Sequence, residues 1–423
     1  MRKRFRVLSV VFSRLALIAG LLVLPTVGHS ISPCATTCPI YNWIPPSSLG
    51  GASPSDFVTT PTDDTHTVPM WLGLDNGYYF AMAGKDPTVK ASGPTSITTK
   101  IVPLRFTAAP SYVFDTESND SCSPQRTPAL NMVQQSPLFR PISLPGTLKT
   151  LGTNQFLSLF QRANFWIPYI EPKGPNVNYQ VVFSQILANK QETPKYTISI
   201  SSPPSTTLPY SVEGQVQTDP TWCNPVAMIS VQDLDTLLQT QVIPGLRNYD
   251  VVPATLPIFI LSNVVMYDSN ISNCCILGYH NAYLSTDVGV FSGKLQTYIV
   301  ANYNSTTYGN YTGAFPNAPD IVGLSNMMAG WMDNPTTLNP TPQWQGTING
   351  TTGCQSVLEV AYPQGVSGTT PIAITALDHN VYHVQDLAFK SWFYGDNGTP
   401  PNSGFGGNYS LFGNLTSPNL TCP

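Results

Sequence analysis

Charge is what this chain has least of: only 10% of its 423 residues are Asp, Glu, Lys or Arg. Histidine is scarcer still, with five in the whole sequence. Such a composition is unlike that of a helical bundle or coiled coil, which carry charged outer faces. No run of basic residues follows the N-terminal segment, which argues against nucleic acid as a partner, because duplex binding rests on Lys and Arg neutralising phosphates. Beyond the N-terminus no apolar run approaches the ~18 residues of a spanning helix. Neither an H-E-x-x-H zinc signature nor a G-x-S-x-G nucleophile elbow occurs.

What the chain does have is 40 Pro, 31 Gly and 42% hydrophobic residues. That is enough apolar material for one large domain or two ordinary ones, with turns and β-structure favoured. Arg2, Lys3, Arg4 and Arg6 precede an apolar run from about Leu15 to Leu24, the pattern of a secretory signal peptide over residues 1–30. Cleavage is expected near Gly28 to Ser30, with a retained anchor as the alternative. With Arg14, the segment holds five of the 19 basic residues and none of the 23 acidic ones, so the exported chain is expected to be acidic, soluble and without membrane attachment.

Eight cysteines lie beyond it: Cys34, Cys38, Cys122, Cys223, Cys274, Cys275, Cys354 and Cys422. An even number in an exported chain favours disulfides over thiols or metal sites. Cys34 with Cys38 is expected to close a small loop, and Cys354 to bond Cys274 or Cys275, since adjacent cysteines rarely bond each other. Secretion also gives meaning to the N-x-S/T triplets at Asn119, Asn270, Asn304, Asn310, Asn349, Asn397, Asn408, Asn414 and Asn419, which accept glycans only in a eukaryotic route.

Residues 31–96 read as an irregular Pro/Ser/Thr/Gly-rich segment, and 97–423 as the main domain, with a Gly/Asn-rich tail from about 396. "TKIVPLRF" is the first solid strand, followed by turn chemistry from Asn119 to Pro145. Thr153 is a candidate N-cap for a helix carrying Phe156, Leu159, Phe160 and Ala163. "NYQVVFSQIL" and "PKYTISIS" are strands, and a second helix starts at Ser230 with Leu234, Leu237, Leu238 and Val242 on one face. "LPIFILSNVVMY" reads as a strand buried on both faces, then come "CCILGYHNAYLST" and "LQTYIVANY". A third helix lies in "DIVGLSNMMAGWMDNP", with Ile321, Leu324, Met328 and Trp331 on its packed face and Asp320 as its cap. "SVLEVAY" reads as a strand, and a hairpin turning at Asp378 to Asn380 closes the domain. The expected class is α+β: a mixed or antiparallel sheet with three main helices.

The chemistry-bearing candidates are few. His280, His383 and a carboxylate such as Glu359 or Asp386 are the residue types of a distributed zinc site, but nothing in their spacing requires one, and structural histidines bonded to strand backbones are the plainer reading. Cys275 with His280 makes a nucleophilic pair only if the thiol stays reduced. Glu359 is flanked by apolar residues and is the most notable acid. The aromatics of "GYYF", "NYNSTTYGNY" and "SWFYGDN", Trp392 among them, offer a stacking surface for a glycan or, more plainly, fill sheet edges.

Five short stretches in order resemble a group of uncharacterised secreted bacterial proteins with a metallopeptidase-like helix. They are Phe160 to Ala163 with Phe165 and Trp166; Cys274, Cys275, Gly278, Tyr279 and His280; the helix itself; Leu358, Glu359 and Val360; and Tyr382, His383, Gln385, Asp386 and Leu387. In that group the helix reads S-H-E-x-x-E-W-x-D-x-P. Ser325, Trp331, Asp333 and Pro335 match it, whereas Asn326, Met327 and Gly330 stand where His, Glu and Glu would be. The resemblance implies a metallopeptidase-like fold whose metal ligand, general base and further acid are all missing here. The function it implies is binding of an extracellular protein or glycan, without a cofactor. An active hydrolase using His280, His383 and Glu359 or Asp386, with zinc, is the alternative; a cell-surface or carbohydrate-binding protein is the third reading.

Overall fold

The computed structural model describes residues 43–46, 49–58, 67–89, 93–109, 111–123, 126–166, 178–186, 195–305, 314–348, 351–363, 371–394, 405–417 and 422. The expected signal peptide and the Cys34–Cys38 loop lie outside them.

Thr95–Ala108, fourteen residues rich in β-branched side chains, is the strand on which the sheet is organised. Its first half pairs in parallel with Val181–Gln185 and Leu256–Ser262, and its second half with Tyr196–Ser201 in parallel and Tyr112–Asp115 antiparallel. Beyond Leu256–Ser262 come Leu295–Tyr303 and then Gly278–Leu284. On the other side Tyr196–Ser201 is followed by Ser211–Gln217, Val226–Ser230, Val264–Tyr267 and Cys274–Ile276. The end strands Cys274–Ile276 and Gly278–Leu284 are separated only by Leu277, whose carbonyl accepts a bond from Asn302 N at 2.8 Å. The eleven-stranded mixed sheet therefore nearly closes on itself.

Alternate residues of the central strands enter two cores. Ile101, Ile258, Ile260 and Ile299 meet the helices Phe156–Asn164 and Val322–Asp333, whereas Val102, Phe259, Leu261 and Val300 meet the helix that starts at Val231. Burial on both faces is why these strands read as unbroken apolar runs.

The α+β class holds, with six α-helical segments among the described residues rather than three. Ala129–Gln135 lies in a stretch read as turns, and Ile243–Gly245 and Lys390–Tyr394 are too short to show a period. Ser230 caps its helix as expected, its Oγ accepting Asp233 N at 3.2 Å. Thr153 does not cap: it belongs to a two-residue strand pairing with Ile142–Ser143, and the helix begins at Phe156. "LPIFILSNVVMY" is two strands broken at Asn263, whose φ of +53° is tolerated because the short Asn side chain bonds locally. The hairpin Ile372–Thr375/Val381–Val384 turns at Asp378 to Asn380 as read.

Among the described residues three disulfides form: Cys122–Cys223, Cys274–Cys275 and Cys354–Cys422. The expected bond from Cys354 to Cys274 or Cys275 is wrong. A cis peptide brings the Cα atoms of the adjacent pair to 3.0 Å, and Cys354 lies 5.7 Å from Cys422 instead. Disulfides fit an oxidising compartment. No helix among the described residues is long and apolar enough to cross a membrane.

Candidate functional site

Every residue of the Val322–Asp333 helix is buried. A helix apolar nearly all round belongs inside a protein, and this one lies between the sheet and the Phe156–Asn164 helix. Asp320 does not cap it. With φ at +40°, Asp320 turns its carboxylate to Ile321 N and, at 2.8 Å, to His383 N, leaving the first turn to a Val322 N bond to Pro319 O.

The strand Gly278–Leu284 alternates: Tyr279 and Tyr283 enter the core around the Val231 helix, and His280 faces the Val322–Asp333 helix. His280 Nε2 sits 3.3 Å from Glu359 Oε1, with both side chains about 5% exposed or less. Glu359 is not in a strand, contrary to the reading of "SVLEVAY". The strand ends at Val357, and Glu359 follows in a turn, also receiving Asn334 Nδ2 at 3.4 Å. Gly330 lies directly against this pair. A Cβ there would be 2.9 Å from Glu359 Oε2 and 3.1 Å from His280 Nε2, so a larger residue forces the pair aside.

Asn326 and Met327, on the same helix, are held as structural groups. Asn326 Nδ2 donates to Gln385 Oε1 at 2.6 Å, and the Met327 side chain occupies the space that Gly278 leaves open, 2.6 Å from where a Cβ would stand. Ser325 Oγ donates to Val322 O and accepts Gln385 N. On the far side Asp333 accepts a bond from Gln161 Nε2, tying the resemblance's first helix to its third stretch.

The four candidates do not share one place. His280 and Glu359 meet. His383 Nδ1 instead pairs with Asp320 Oδ2 at 2.6 Å, and that bond raises the imidazole pKa above its ordinary value. Asp386 accepts Ser410 Oγ at 2.8 Å and Phe412 N at 2.9 Å, while burial pushes its pKa up. Among the described residues no three His, Cys, Asp or Glu side chains form a metal-holding group. Cys275 is bonded to Cys274 and is no nucleophile beside His280. Trp392 is buried in edge-to-face contact with Trp344 and Phe393 rather than offered to a glycan. "NYNSTTYGNY" lies largely outside the described residues.

Sequence reasoning passed over Asp320 as the partner of His383, and the Gln161–Asp333 pair. The first had a signal, a Pro-Asp step before an apolar run, which was read as a cap. Comparison with family models, curated proteins and solved structures returns no match.

Proposed function

We propose that this is a secreted, metallopeptidase-like protein whose helix no longer supports hydrolysis and which acts by binding an extracellular protein or glycan. One observation carries the reading. Gly330, standing where the resemblance has an acid, abuts His280 and Glu359, two residues contributed by other stretches of the same resemblance. The arrangement fits a former ligand shell in which the helix has withdrawn its share. A zinc hydrolase holds its metal with three protein ligands and needs a base to activate water. With Asn326 bonded to Gln385 and Met327 packed at Gly278, the helix presents neither.

The test is an assay of the purified, signal-free protein on unfolded protein substrates and a peptide library, with and without a chelator. The reading expects no chelator-sensitive cleavage. Cleavage that a chelator stops and zinc restores would overturn it and favour the active hydrolase.

A further inference from the structure

The pair that joins the Phe156–Asn164 helix to the Val322–Asp333 helix carries two complementary loose ends. Gln161 Nε2 donates to Asp333 Oδ1, while Gln161 Oε1 and Asp333 Oδ2 are both buried and without a hydrogen-bond partner. Two bare acceptors on one bonded pair are costly if the carboxyl is ionised, since each forfeits its bond to water. A single proton on Asp333 Oδ2 removes both at once. A protonated carboxyl is a donor as well as an acceptor, and an O–H on Oδ2 would have Gln161 Oε1, the other end of the bonded amide, as its acceptor while the amide keeps its bond to Oδ1.

We propose that Asp333 and Gln161 form a two-bond acid–amide clamp, closed when Asp333 is protonated and half-open when it is ionised, which makes the seating of the Val322–Asp333 helix sensitive to pH.

The surroundings agree with a neutral acid. Burial pushes the Asp333 pKa up to about 7 against the lowering effect of the Gln161 bond, and the nearby Glu359 carboxyl adds to the rise. Lys390 opposes it, but its ammonium is bonded to Asp75 and lies over the rings of Phe80 and Tyr394. Tyr179, just before the Val181–Gln185 strand, feels the Asp333 charge and is held neutral by its own burial. Tyr394, on the Lys390–Tyr394 helix, is likewise held neutral by burial, and Arg162 on the Gln161 helix lies over Trp166. His280 stands behind Glu359.

The linkage has a definite sign. The folded pKa exceeds the unfolded value near 4, so the contribution to stability is complete below about 4, falls as pH rises, and is gone above about 7. Asp333→Asn supplies a permanent amide donor in place of the proton, closing the same two-bond ring at every pH.

The experiment is thermal unfolding of the wild-type chain and D333N between pH 4.5 and 8.5. The expected result is a melting-temperature difference, D333N minus wild type, that grows from pH 4.5 to about pH 7, levels off above it, and reaches about 2–4 °C in favour of the variant at pH 8.5. A difference that is constant with pH, or that falls as pH rises, overturns the clamp. Should D333N not fold, infrared difference spectroscopy of the wild-type protein decides. A buried protonated-carboxyl band that titrates away near pH 7, and shifts in Gln161→Leu, supports the clamp, and absence of that band at pH 5 overturns it.

Discussion

Two carboxyls on opposite faces of the same sheet, Asp333 buried and Asp235 half-buried, are treated very differently. Asp235, on the Val231 helix, receives Tyr298 Oη, Asn281 Nδ2 at about 3.2 Å and Gln239 Nε2 at 2.9 Å. Burial still pushes its pKa up, but both carboxylate oxygens are used. Across the sheet, Asp333 has one donor and a bare oxygen, His280 Nδ1 has no partner, and Gly330 leaves its neighbours facing a backbone. A fully bonded network fixes a structure, whereas a buried polar atom left without a partner is costly. The contrast teaches that the helix-side core is packed as a scaffold but carries polar residues that packing alone does not require.

The contrast can be broken or sharpened by substitution. The largest effect is expected from Asp235→Ala, which removes the acceptor shared by Tyr298, Asn281 and Gln239 and should cost about 2–3 kcal/mol in urea unfolding. A loss under about 1 kcal/mol would show that this network is not structural. Next comes Gly330→Ala, where helix propensity gains up to about 1 kcal/mol but crowding against Glu359 and His280 costs about 1–3 kcal/mol. Net destabilisation is the expected outcome, and a gain in stability would mean the pair yields freely.

His383→Gln comes third. The bond to Asp320 raises the imidazole pKa, so its contribution is complete below about 6.5 and lost as pH rises through the higher folded value. The variant should lose about 1 kcal/mol at pH 5.5 and less at pH 9. Equal losses at both would refute the pairing. Smallest of all is His280→Leu combined with Glu359→Gln: if the pair is a relic, replacing it should change stability by less than about 1 kcal/mol.

How much of this was legible in the sequence depended on the kind of signal. Ser230 and the Asp378–Asn380 turn were readable because local side chains make those bonds. The single long strand read at "LPIFILSNVVMY" failed because an apolar run does not reveal that Asn263 takes a left-handed backbone and passes the chain to another part of the sheet. Cys274–Cys275 was passed over because spacing says nothing of a cis peptide. His280 and Glu359 were picked out one at a time, but their meeting against Gly330 is a tertiary fact, produced by sheet closure and by a turn after Val357. Asp320 was misassigned for the opposite reason: a plausible local role concealed a longer-range partner.

The central claim is that the helix has given up its share of a metal site. Its most direct test is the zinc content, by mass spectrometry, of signal-free protein purified without chelator and dialysed against zinc-containing buffer. The account predicts no stoichiometric zinc. One zinc per chain, lost when Glu359 is replaced by Ala, would contradict it.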